Sequence, residues 1–555
     1  MIDAARQTIL PSSRPWDAVV VGSGFGGSMA ARELVRAGMR VLLLERGDWV
    51  EKGPHDEAWA VPWKVRPGYS LKDPYVIDGG PSRAVGTFEC VGGMSVFYGG
   101  VSLRMRAEDF RGSPEVTGDV RWPLEYGDLE PWYAAAEALL GVAGDEASDA
   151  TAPPRSRPLA HPREPWSPTS AALARAAMRL QLHPFRIPMA ARGSSDDGTS
   201  SCAFSGACDG FACAGKRDLA TAVLPRLIEA GLTLRPNSVV CRLETEGRRV
   251  RAALGVDRLT GEPFRIEAER FVVAAGALAT PHLLLVSKLE RLSPAGDTVG
   301  RYLMRHCNGI VLGAASTSLG EVGDMRKQLA VHDLYLGDDR QSEVTGKLGA
   351  IQQLRAVHIA LSMAPLPRSL KQAIYPAVSR LLGFIVMAED QPDPHNRVYL
   401  DAARQDCYGR RAARVHHRHT PRDHRARRAL ARRAAEILRE ANAVFTFTLP
   451  VRTFSHALGT VRMGHDRERF PVTPDGRFRG LGNLWITDAS VFPTAGGVNP
   501  SLTIAANALR IASGIASGVA GDRSPARSIP WSVRPSTPRD RVPSGRATPR
   551  APAAR

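Results

Sequence analysis

The amino-acid sequence predicts an α/β fold in which a Rossmann-like nucleotide-binding domain carries a second, inserted lobe. Three short apolar segments support this prediction, because each has the length and composition of a strand buried in a parallel sheet. They are residues 18–21, 271–276 and 484–488. Since they lie near the start, the middle and the end of the 555 residues, the nucleotide-binding domain is expected to be assembled from discontinuous segments.

The first segment opens a complete βαβ unit. The strand of residues 18–21 is followed at once by a glycine-rich turn, residues 28–37 have helical composition, and residues 41–44 form a second apolar strand. In such a unit the glycines let the backbone approach a pyrophosphate, whose charge is met by free N–H groups at the start of the helix. The turn residues assigned to this role are Gly22, Gly24, Phe25, Gly26 and Gly27.

Glu45, at the end of the second strand, indicates which dinucleotides the unit accepts. An acidic residue at this position accepts hydrogen bonds from ribose hydroxyls and repels the 2'-phosphate of NADP. The adjacent Arg46 leaves a small opening for NADP. The residues of this unit therefore favour FAD or NAD and do not choose between them.

Size, hydropathy and cysteine content fit an ordinary soluble enzyme. Hydrophobic residues make up 43% of the chain, enough for a large core and at least two lobes. No apolar run approaches the roughly 20 residues that span a bilayer, so no stable membrane insertion and a cytoplasmic location are expected. The seven cysteines are odd in number and mostly far apart, which favours reduced thiols.

A formal net charge of +17 raises the alternative of a basic protein that binds nucleic acid or an anionic membrane. The excess charge is concentrated in two stretches and does not form a recognisable binding module, so no nucleic-acid partner is expected. Residues 522–555 hold eight arginines among Pro, Ser and Ala and are predicted to be disordered. Residues 404–439 include a helix predicted after Pro421, whose arginines are expected to form a solvated face.

Further motifs lie in the rest of the chain. In order they are Gly92-Gly93-Met94-Ser95, Trp122-Pro123-Leu124, Val299-Gly300-Arg301 with His306, His456-Ala457-Leu458-Gly459-Thr460, Asp488-Ala489-Ser490 and Gly497-Val498-Asn499-Pro500. Together with the first βαβ unit, they resemble in order and content the glucose-methanol-choline (GMC) family of FAD-dependent oxidoreductases.

This resemblance implies a domain organisation. The FAD-binding domain would be formed by residues 15–145, 215–310 and 445–520. An α+β substrate domain built on an antiparallel sheet would be formed by residues 146–214 and 311–444, and residues 521–555 would be a basic tail.

The resemblance also implies the reaction. GMC enzymes oxidise the CH–OH group of a small-molecule alcohol by hydride transfer to flavin N5, and pass the electrons to oxygen, a quinone or a carrier protein. The family places a catalytic His and a second His or Asn at the positions of His456 and Asn499. Histidine suits the role of base, because the alcohol must lose its hydroxyl proton near neutral pH.

Asn499 has two possible roles. Its amide is expected either to donate to the substrate oxygen or only to cap a helix that begins at Pro500 and continues through residues 502–512. The start of that helix would face the flavin and stabilise the negative charge that reduction leaves there.

Other cofactor contacts follow from the family motifs. Asp488 is expected to hold ribityl hydroxyls, and Val240 resembles the position whose backbone meets adenine. Phe97 stands where some relatives have the histidine that attaches FAD covalently, so noncovalent FAD is expected. The remaining cofactor-binding residues assigned in this way are Arg46, Gly92, Gly93, Ser95, Ala275, Gly276, Ala489, Asn499 and Pro500.

Two groups of residues suggest metals. Cys202, Cys208 and Cys213 lie in a region where some bacterial relatives hold an iron–sulfur cluster, but the lack of a fourth cysteine favours a structural loop or free thiols. A histidine group lies among arginines that would repel a cation, which favours a solvated surface. This group consists of His416, His417, His419 and His424. No metal is expected.

The substrate class stays open at this stage. Residues 497–500 resemble the cholesterol oxidase branch of the family, whereas residues 92–95 resemble the pyranose oxidase branch. Sterols, sugars, and aliphatic or aryl alcohols are all compatible with these motifs. A lyase of the hydroxynitrile lyase type, which keeps FAD on the same scaffold without net redox turnover, is an alternative.

Residues 369–387 form an apolar, partly basic stretch. Leu370, Ile374, Ala377, Leu381 and Leu382 are spaced so that they could form one face of an amphipathic helix. Packing inside the substrate lobe is the simpler expectation, and contact with a membrane is the alternative.

Overall fold

The computed structural model describes most of the two lobes. The described residues are 15–50, 75–78, 88–145, 149, 151–159, 161, 165–191, 216–317, 327–337, 344–354, 366–374, 380–451, 454 and 456–518.

The strands and helices in these residues are as follows. The strands are β1 Trp16–Val21, β2 Val41–Leu44, β3 Val76–Ile77, β4 Pro184–Arg186, β5 Thr233–Arg235, β6 Ser238–Glu246, β7 Arg249–Asp257, β8 Pro263–Val273, β9 Cys307–Ala315, β10 Leu329–Val331, β11 Gly349–Gln353, β12 Leu381–Ala388, β13 Arg397–Gln405, β14 Arg411–His416, β15 Ala443–Pro450 and β16 Leu484–Ile486. The helices are α1 Phe25–Arg36, α2 Ala107–Arg111, α3 Pro114–Thr117, α4 Tyr126–Leu140, α5 Pro168–Arg179, α6 Leu219–Ala222, α7 Leu224–Glu229, α8 Ala279–Val286, α9 Arg368–Ile374, α10 Pro421–Glu440 and α11 Ser501–Ser517.

The first sheet is built around the predicted βαβ unit. Its order is β5-β2-β1-β8-β7-β6, and β16 also pairs with β8. β1, β2, β5 and β16 run parallel to their neighbours, whereas β7 is antiparallel to β6 and β8. Every residue of β1 and β2 is buried, as expected for apolar strands covered on both faces. The predicted α/β class with a Rossmann-like domain is confirmed.

The second sheet is antiparallel, as expected for the inserted lobe. Its order is β15-β9-β12-β11-β10-β4. α10 packs across β9, β12 and β15, and contributes Ala426, Leu430, Ala434 and Leu438 to the core of this lobe. The predicted solvated face of α10 is also present, because Arg425, Arg428, Arg432 and Arg439 are exposed.

A third, small sheet consists of β13, β14 and β3. It packs against α8, which follows β8 of the first sheet. No helix among the described residues has both the length and the hydropathy needed to cross a membrane.

The prediction of one amphipathic helix within residues 369–387 is wrong. α9 ends at Ile374, and Leu381 and Leu382 open β12, which pairs with β9 on one side and β11 on the other. A strand inside a sheet that is buried on both faces is apolar without interruption, and a short run of this kind cannot be told from a helix by its periodicity. Ala377 lies outside the described residues.

Candidate active site

The turn between β1 and α1 is packed too tightly for side chains at most of its glycines. A Cβ on Gly27 would lie 1.8 Å from the carbonyl oxygen of Gly22, and a Cβ on Gly26 would lie 2.6 Å from that of Thr487. Gly22 itself has a φ of 99°, in the left-handed region. Gly24 differs, because a Cβ there would meet none of the described residues within 4 Å. The turn therefore packs against the protein at Gly22, Gly26 and Gly27. It leaves space for a ligand at Gly24, beside the start of α1.

The second glycine loop meets this turn directly. The Gly92 N–H donates to Ser23 Oγ at 2.9 Å, and a Cβ on Gly93 would lie 3.0 Å from Gly24 Cα. Ser95 holds the loop from within, since its hydroxyl donates to the Gly92 carbonyl and accepts from the Leu219 N–H. Two motifs about 70 residues apart in sequence thus form one cradle around Gly24.

Glu45 closes one side of the cradle. Its carboxylate accepts from the Ser23 N–H at 3.0 Å, the Ser23 hydroxyl at 2.6 Å and the Gly47 N–H at 2.9 Å. A carboxylate has about four lone-pair sites, so one remains for a ribose hydroxyl. Burial raises the pKa of Glu45, while these hydrogen bonds and Arg46 act in the opposite direction. Arg46 pairs with Glu89 at 2.6 Å.

Asp488, which follows β16, bonds to the segment that follows β8. Its Oδ2 accepts from the Gly276 N–H at 2.9 Å and from the Thr280 hydroxyl, and its Oδ1 accepts from the Ser490 N–H at 2.8 Å. Burial raises the pKa of Asp488 against these hydrogen bonds. The side chain thus organises the backbone around Gly276, where a Cβ would meet no atom of the described ranges within 4 Å.

The neighbours of Asp488 complete this group of predicted cofactor residues. The Ala275 N–H donates to Thr280 Oγ1 at 3.1 Å, and the Ala489 carbonyl accepts from the Gly459 N–H at 3.0 Å. The latter bond brings the segment that follows His456 alongside Asp488. Val240 lies in β6 at some distance along the chain, and its carbonyl accepts from Arg410 Nη1 at 3.2 Å.

His456 is half-buried and contacts a second histidine. Its Nδ1 lies 3.0 Å from Nδ1 of His306, and the two rings are nearly perpendicular, with an interplanar angle of 88°. Desolvation by the surrounding protein, with the nearby charges of His306 and Lys327, lowers the pKa of His456 well below 6.5, and Asp390 opposes this. His456 is therefore uncharged near neutral pH and able to accept a proton.

His306 also bonds to the loop that carries Asn499. Its Nε2 lies 3.0 Å from the carbonyl oxygen of Gly496 and 3.3 Å from that of Ala495. We call residues 494–500 the active-site loop. His306 thus links two of the predicted site segments, although the sequence identified it only as part of a family motif.

Asn499 does not cap α11, so the predicted capping arrangement is wrong. The cap position is Pro500, in helical conformation, the helix begins at Ser501, and no side chain caps it. The Asn499 Oδ1 instead accepts from Gln352 Nε2 of β11 at 2.8 Å. An N-cap would use Oδ1 of Asn499 as its acceptor, but this atom is already bonded to Gln352 of the second sheet. Nδ2 of Asn499 is left as a donor.

The inserted lobe holds the active-site loop through residues that the sequence did not single out. The Gly496 N–H donates to Glu389 Oε1 at 3.0 Å, and the Gly497 N–H donates to the Tyr335 hydroxyl at 2.8 Å. Tyr335 donates in turn to Asp109 at 2.7 Å. Lys347 Nζ bridges Asp109 at 2.9 Å and Glu389 at 2.8 Å. These four side chains come from distant segments, so no local pattern could have identified them.

Asp390 anchors the backbone on the other side of His306. Its two oxygens accept from the Arg305 N–H at 2.8 Å and the His306 N–H at 3.1 Å. Burial would raise the pKa of Asp390, but the adjacent histidines, His417 above all, hold it well below its usual range.

The expectation that the histidine group is a solvated surface is wrong for His417. Its side chain is 1% exposed, and its Nε2 lies 3.6 Å from Asp390 Oδ2. The arginines that flank it in sequence suggested exposure, but alternate residues of an extended chain face opposite sides. Asp390, His417 and His419 have ligand atoms within 4.8 Å of one another. Arg305 Nε, 3.2 Å from His417 Nδ1, places a positive charge beside them, which disfavours a metal cation.

Two predictions concern residues outside the described ranges. Cys202, Cys208 and Cys213 lie there, and so does the basic tail of residues 521–555. The preference for a structural loop or free thiols over an iron–sulfur cluster, and the prediction of a disordered tail, stay predictions.

Comparisons with known proteins agree with this fold. The two family models described as GMC oxidoreductase match residues 17–308 and 392–508. The chain is 32% identical to 6'''-hydroxyparomomycin C oxidase of Streptomyces lividus, over 92% of this chain and 93% of that protein. It is 26% identical to the fructose dehydrogenase large subunit of Gluconobacter japonicus, over 90% of this chain and 97% of that protein. Among solved structures, pyridoxine 4-oxidase from Mesorbium loti has the same fold, with a TM-score of 0.61 and 19% identity over 90% of this chain and 99% of that one.

Proposed function

Because this chain belongs to the GMC oxidoreductase family and is therefore an FAD-dependent oxidoreductase of CH–OH groups, we propose that His456 and Asn499 are the side chains that bind and deprotonate the alcohol. One observation carries this proposal. His456 is half-buried, its lowered pKa keeps it uncharged near neutral pH, and through His306 it is tied to the loop that bears Asn499.

The cradle around Gly24 fits the cofactor that the family implies. Bound FAD supplies the acceptor for the hydrogen and electron pair of the alcohol C–H bond. The open side of Gly24, the start of α1 and the remaining lone pair of Glu45 suit a pyrophosphate and a ribose. Asp488 and the backbone of Gly276 are the groups proposed to lie along the ribityl chain.

FAD is proposed to be noncovalent. Phe97 stands at the family's attachment position, is buried, and packs on Phe88 with ring centroids 4.1 Å apart. A phenyl ring offers no atom for a bond to the flavin. Acid precipitation of the holoenzyme should therefore release all of the flavin into the supernatant, and flavin retained in the protein pellet would contradict this proposal.

His456 and Asn499 are proposed to have different roles in the reaction. His456 takes the hydroxyl proton of the alcohol, because its imidazole is uncharged near neutral pH and has a lone pair to accept that proton. Asn499 donates from Nδ2 to the same oxygen, since its Oδ1 is held by Gln352. Both actions orient the alcohol and favour alkoxide character as the carbonyl forms.

The substrate is proposed to be a polyhydroxylated, sugar-like alcohol. Gln352 is fully buried, and its Oε1 has no hydrogen-bond partner within the described residues. A buried acceptor beside Asn499 suits a second hydroxyl or an amino group on the substrate. The relatives support the same class, since they include paromamine 6'-oxidase of Streptomyces fradiae and a C-glycoside 3-oxidase of Microbacterium trichothecenolyticum. They give no support for a lyase.

An anaerobic titration of the holoenzyme tests the reaction and the substrate class together. Loss of the oxidised flavin absorbance is measured after addition of aminosugars, neutral sugars, aliphatic diols, sterols and aryl alcohols in separate panels. We expect bleaching with the first two panels, and a Gln352→Leu variant should lose more activity on a sugar than on a simple alcohol. Bleaching by sterols or aryl alcohols alone would contradict the sugar-like class.

A further inference from the structure

The hydrogen bonds of His306 determine where its ring protons are. Within the described part of the chain, the partners of His306 Nε2 are both carbonyl oxygens, those of Gly496 at 3.0 Å and Ala495 at 3.3 Å. A carbonyl oxygen accepts and cannot donate, so His306 Nε2 must carry a hydrogen. A neutral imidazole has a single N–H, so in the neutral form of His306 the Nδ1 atom is a lone-pair acceptor.

The same logic continues to His456. Its Nδ1 lies 3.0 Å from the Nδ1 of His306, a hydrogen-bonding distance between two ring nitrogens. Because His306 Nδ1 is the acceptor, His456 Nδ1 must be the donor. We propose that His306 is a positioning residue that holds His456 in its Nδ1–H tautomer, so that Nε2 of His456 is the atom that accepts the alcohol proton.

His306 is held by two hydrogen bonds of its backbone and by the bonds of its ring to the active-site loop. It is 1% exposed and has a φ of 58°, in the left-handed region. The backbone N–H donates to Asp390 at 3.1 Å, and the backbone carbonyl lies 3.2 Å from Nε2 of His419. The bond to Gly496 then fixes the ring against the active-site loop. Asp390 therefore acts on the base through the backbone of His306.

The proton balance is complete with these groups. The O–H bond of the alcohol breaks and its proton bonds to His456 Nε2, while the hydrogen and electron pair of the C–H bond leave for the flavin. His456 becomes an imidazolium whose Nδ1–H still donates to His306. The opposite tautomer would present an N–H to the alcohol and could not take its proton.

This inference rests on the proposed role of His456 as base. Two substitutions of His306 distinguish the hydrogen bond of its ring to His456 from the hydrogen bond of its ring to Gly496. In His306→Asn the amide oxygen can lie where Nδ1 was and accept from His456, and asparagine tolerates the left-handed backbone. In His306→Gln the longer amide reaches the position of Nε2, keeps a donor for Gly496 and loses the acceptor for His456. The exposed His183, paired with Asp333 at 2.7 Å, provides His183→Gln as a matched control.

The rate of anaerobic flavin reduction by saturating alcohol is measured for each variant. We expect His306→Gln to reduce the rate about a hundredfold, which is the scale of general base catalysis. His306→Asn should be about tenfold faster than His306→Gln, because it keeps the acceptor for His456. His183→Gln should have the rate of the parent. Equal losses in the Asn and Gln variants, or no loss in either, would overturn the proposal.

The tautomer is read directly by NMR of the holoenzyme containing ¹⁵N-labelled histidine, with the His456 signals assigned by their loss in His456→Ala. We expect the shifts of a protonated Nδ1 and an unprotonated Nε2, and a protonated Nε2 in the resting enzyme would overturn the inference even if no His306 variant folds. If His456→Ala instead keeps the parent rate of flavin reduction, the failure lies in the proposed function and not in the tautomer.

Discussion

The two sides of the candidate site are built in different ways. The cofactor side, from Gly22 to Gly27 with the loop at Gly92 and Gly93, is a backbone structure in which the absence of side chains creates the space. The substrate side, formed by His456 and the active-site loop, is held by side chains such as His306, Tyr335 and Glu389. Each motif of the cofactor side has its form set by neighbouring residues, whereas the substrate side depends on side-chain contacts between distant segments.

The largest effect should come from a side chain added to the cofactor side. In Gly27→Ala the new Cβ would lie 1.8 Å from the Gly22 carbonyl oxygen, so we expect a loss of about 3 kcal/mol or more in the free energy of unfolding, or no folded protein. Gly24→Ala is the matched control, because its Cβ would meet nothing within 4 Å in the part of the chain that the structure describes. It should fold and yet bind less FAD, as measured by thermal denaturation and by flavin content per protein. Equal behaviour of the two variants would remove the distinction between the closed and open sides of the turn.

The next effect should come from the base. We expect His456→Ala to keep the flavin content of the parent and to lose about a hundredfold or more in the rate of flavin reduction. The reason is that the histidine belongs to the substrate side and contributes nothing to the glycine cradle. Stopped-flow absorbance under anaerobic conditions measures the rate. A variant that has lost its flavin would show that the two sides are not independent.

A smaller effect is expected where the inserted lobe meets the active-site loop. Tyr335→Phe removes the hydroxyl that accepts from Gly497 and donates to Asp109, and leaves those buried groups short of a partner. We expect about 1–3 kcal/mol of destabilisation and a reduction rate lower by about tenfold, because the loop that carries Asn499 is less well positioned. Denaturant unfolding and flavin content are measured together with the rate. An unchanged rate would mean that this contact is structural only.

The smallest effect is on the pH profile. The pKa of His456 is held well below 6.5, and the base must be uncharged to accept a proton. The rate of flavin reduction should therefore stay constant from about pH 8 down to pH 6.5 and decline only at lower pH, as His456 becomes protonated. A decline centred at or above pH 6.5 in the parent enzyme would contradict the desolvated environment of this residue.

The sequence predicted the cofactor side well, because its elements are determined over a few neighbouring residues. The strand predicted at residues 18–21 is Trp16–Val21, and the second strand has the predicted bounds, Val41–Leu44. The first helix begins earlier than predicted, at Phe25, because Gly26 and Gly27 lie inside its first turn, where Gly26 packs against Thr487 and Gly27 against Gly22. On the cofactor side, the motifs recognised in the sequence therefore occupy the positions in the fold that were predicted for them.

The substrate side was predicted only in part. His456 and Asn499 came from the family motif, but the partners that fix them come from β11, from the segment after β12 and from the turn before β9. The apolar run of β12 was assigned to a helix, so the acidic pair that follows it, Glu389 and Asp390, was not recognised as facing the loop. Contacts of this kind depend on the pairing of distant strands, which no local periodicity encodes.

Lys347 lies between two buried carboxylates, Asp109 and Glu389, and this arrangement constrains which substitutions the three positions tolerate. Loss of the lysine alone would leave two uncompensated negative charges inside the protein, at a cost of about 3–5 kcal/mol for a broken buried pair. Loss of either carboxylate alone would weaken the support of the active-site loop. We therefore expect these three positions to covary among homologues, with the lysine and the carboxylates gained or lost together.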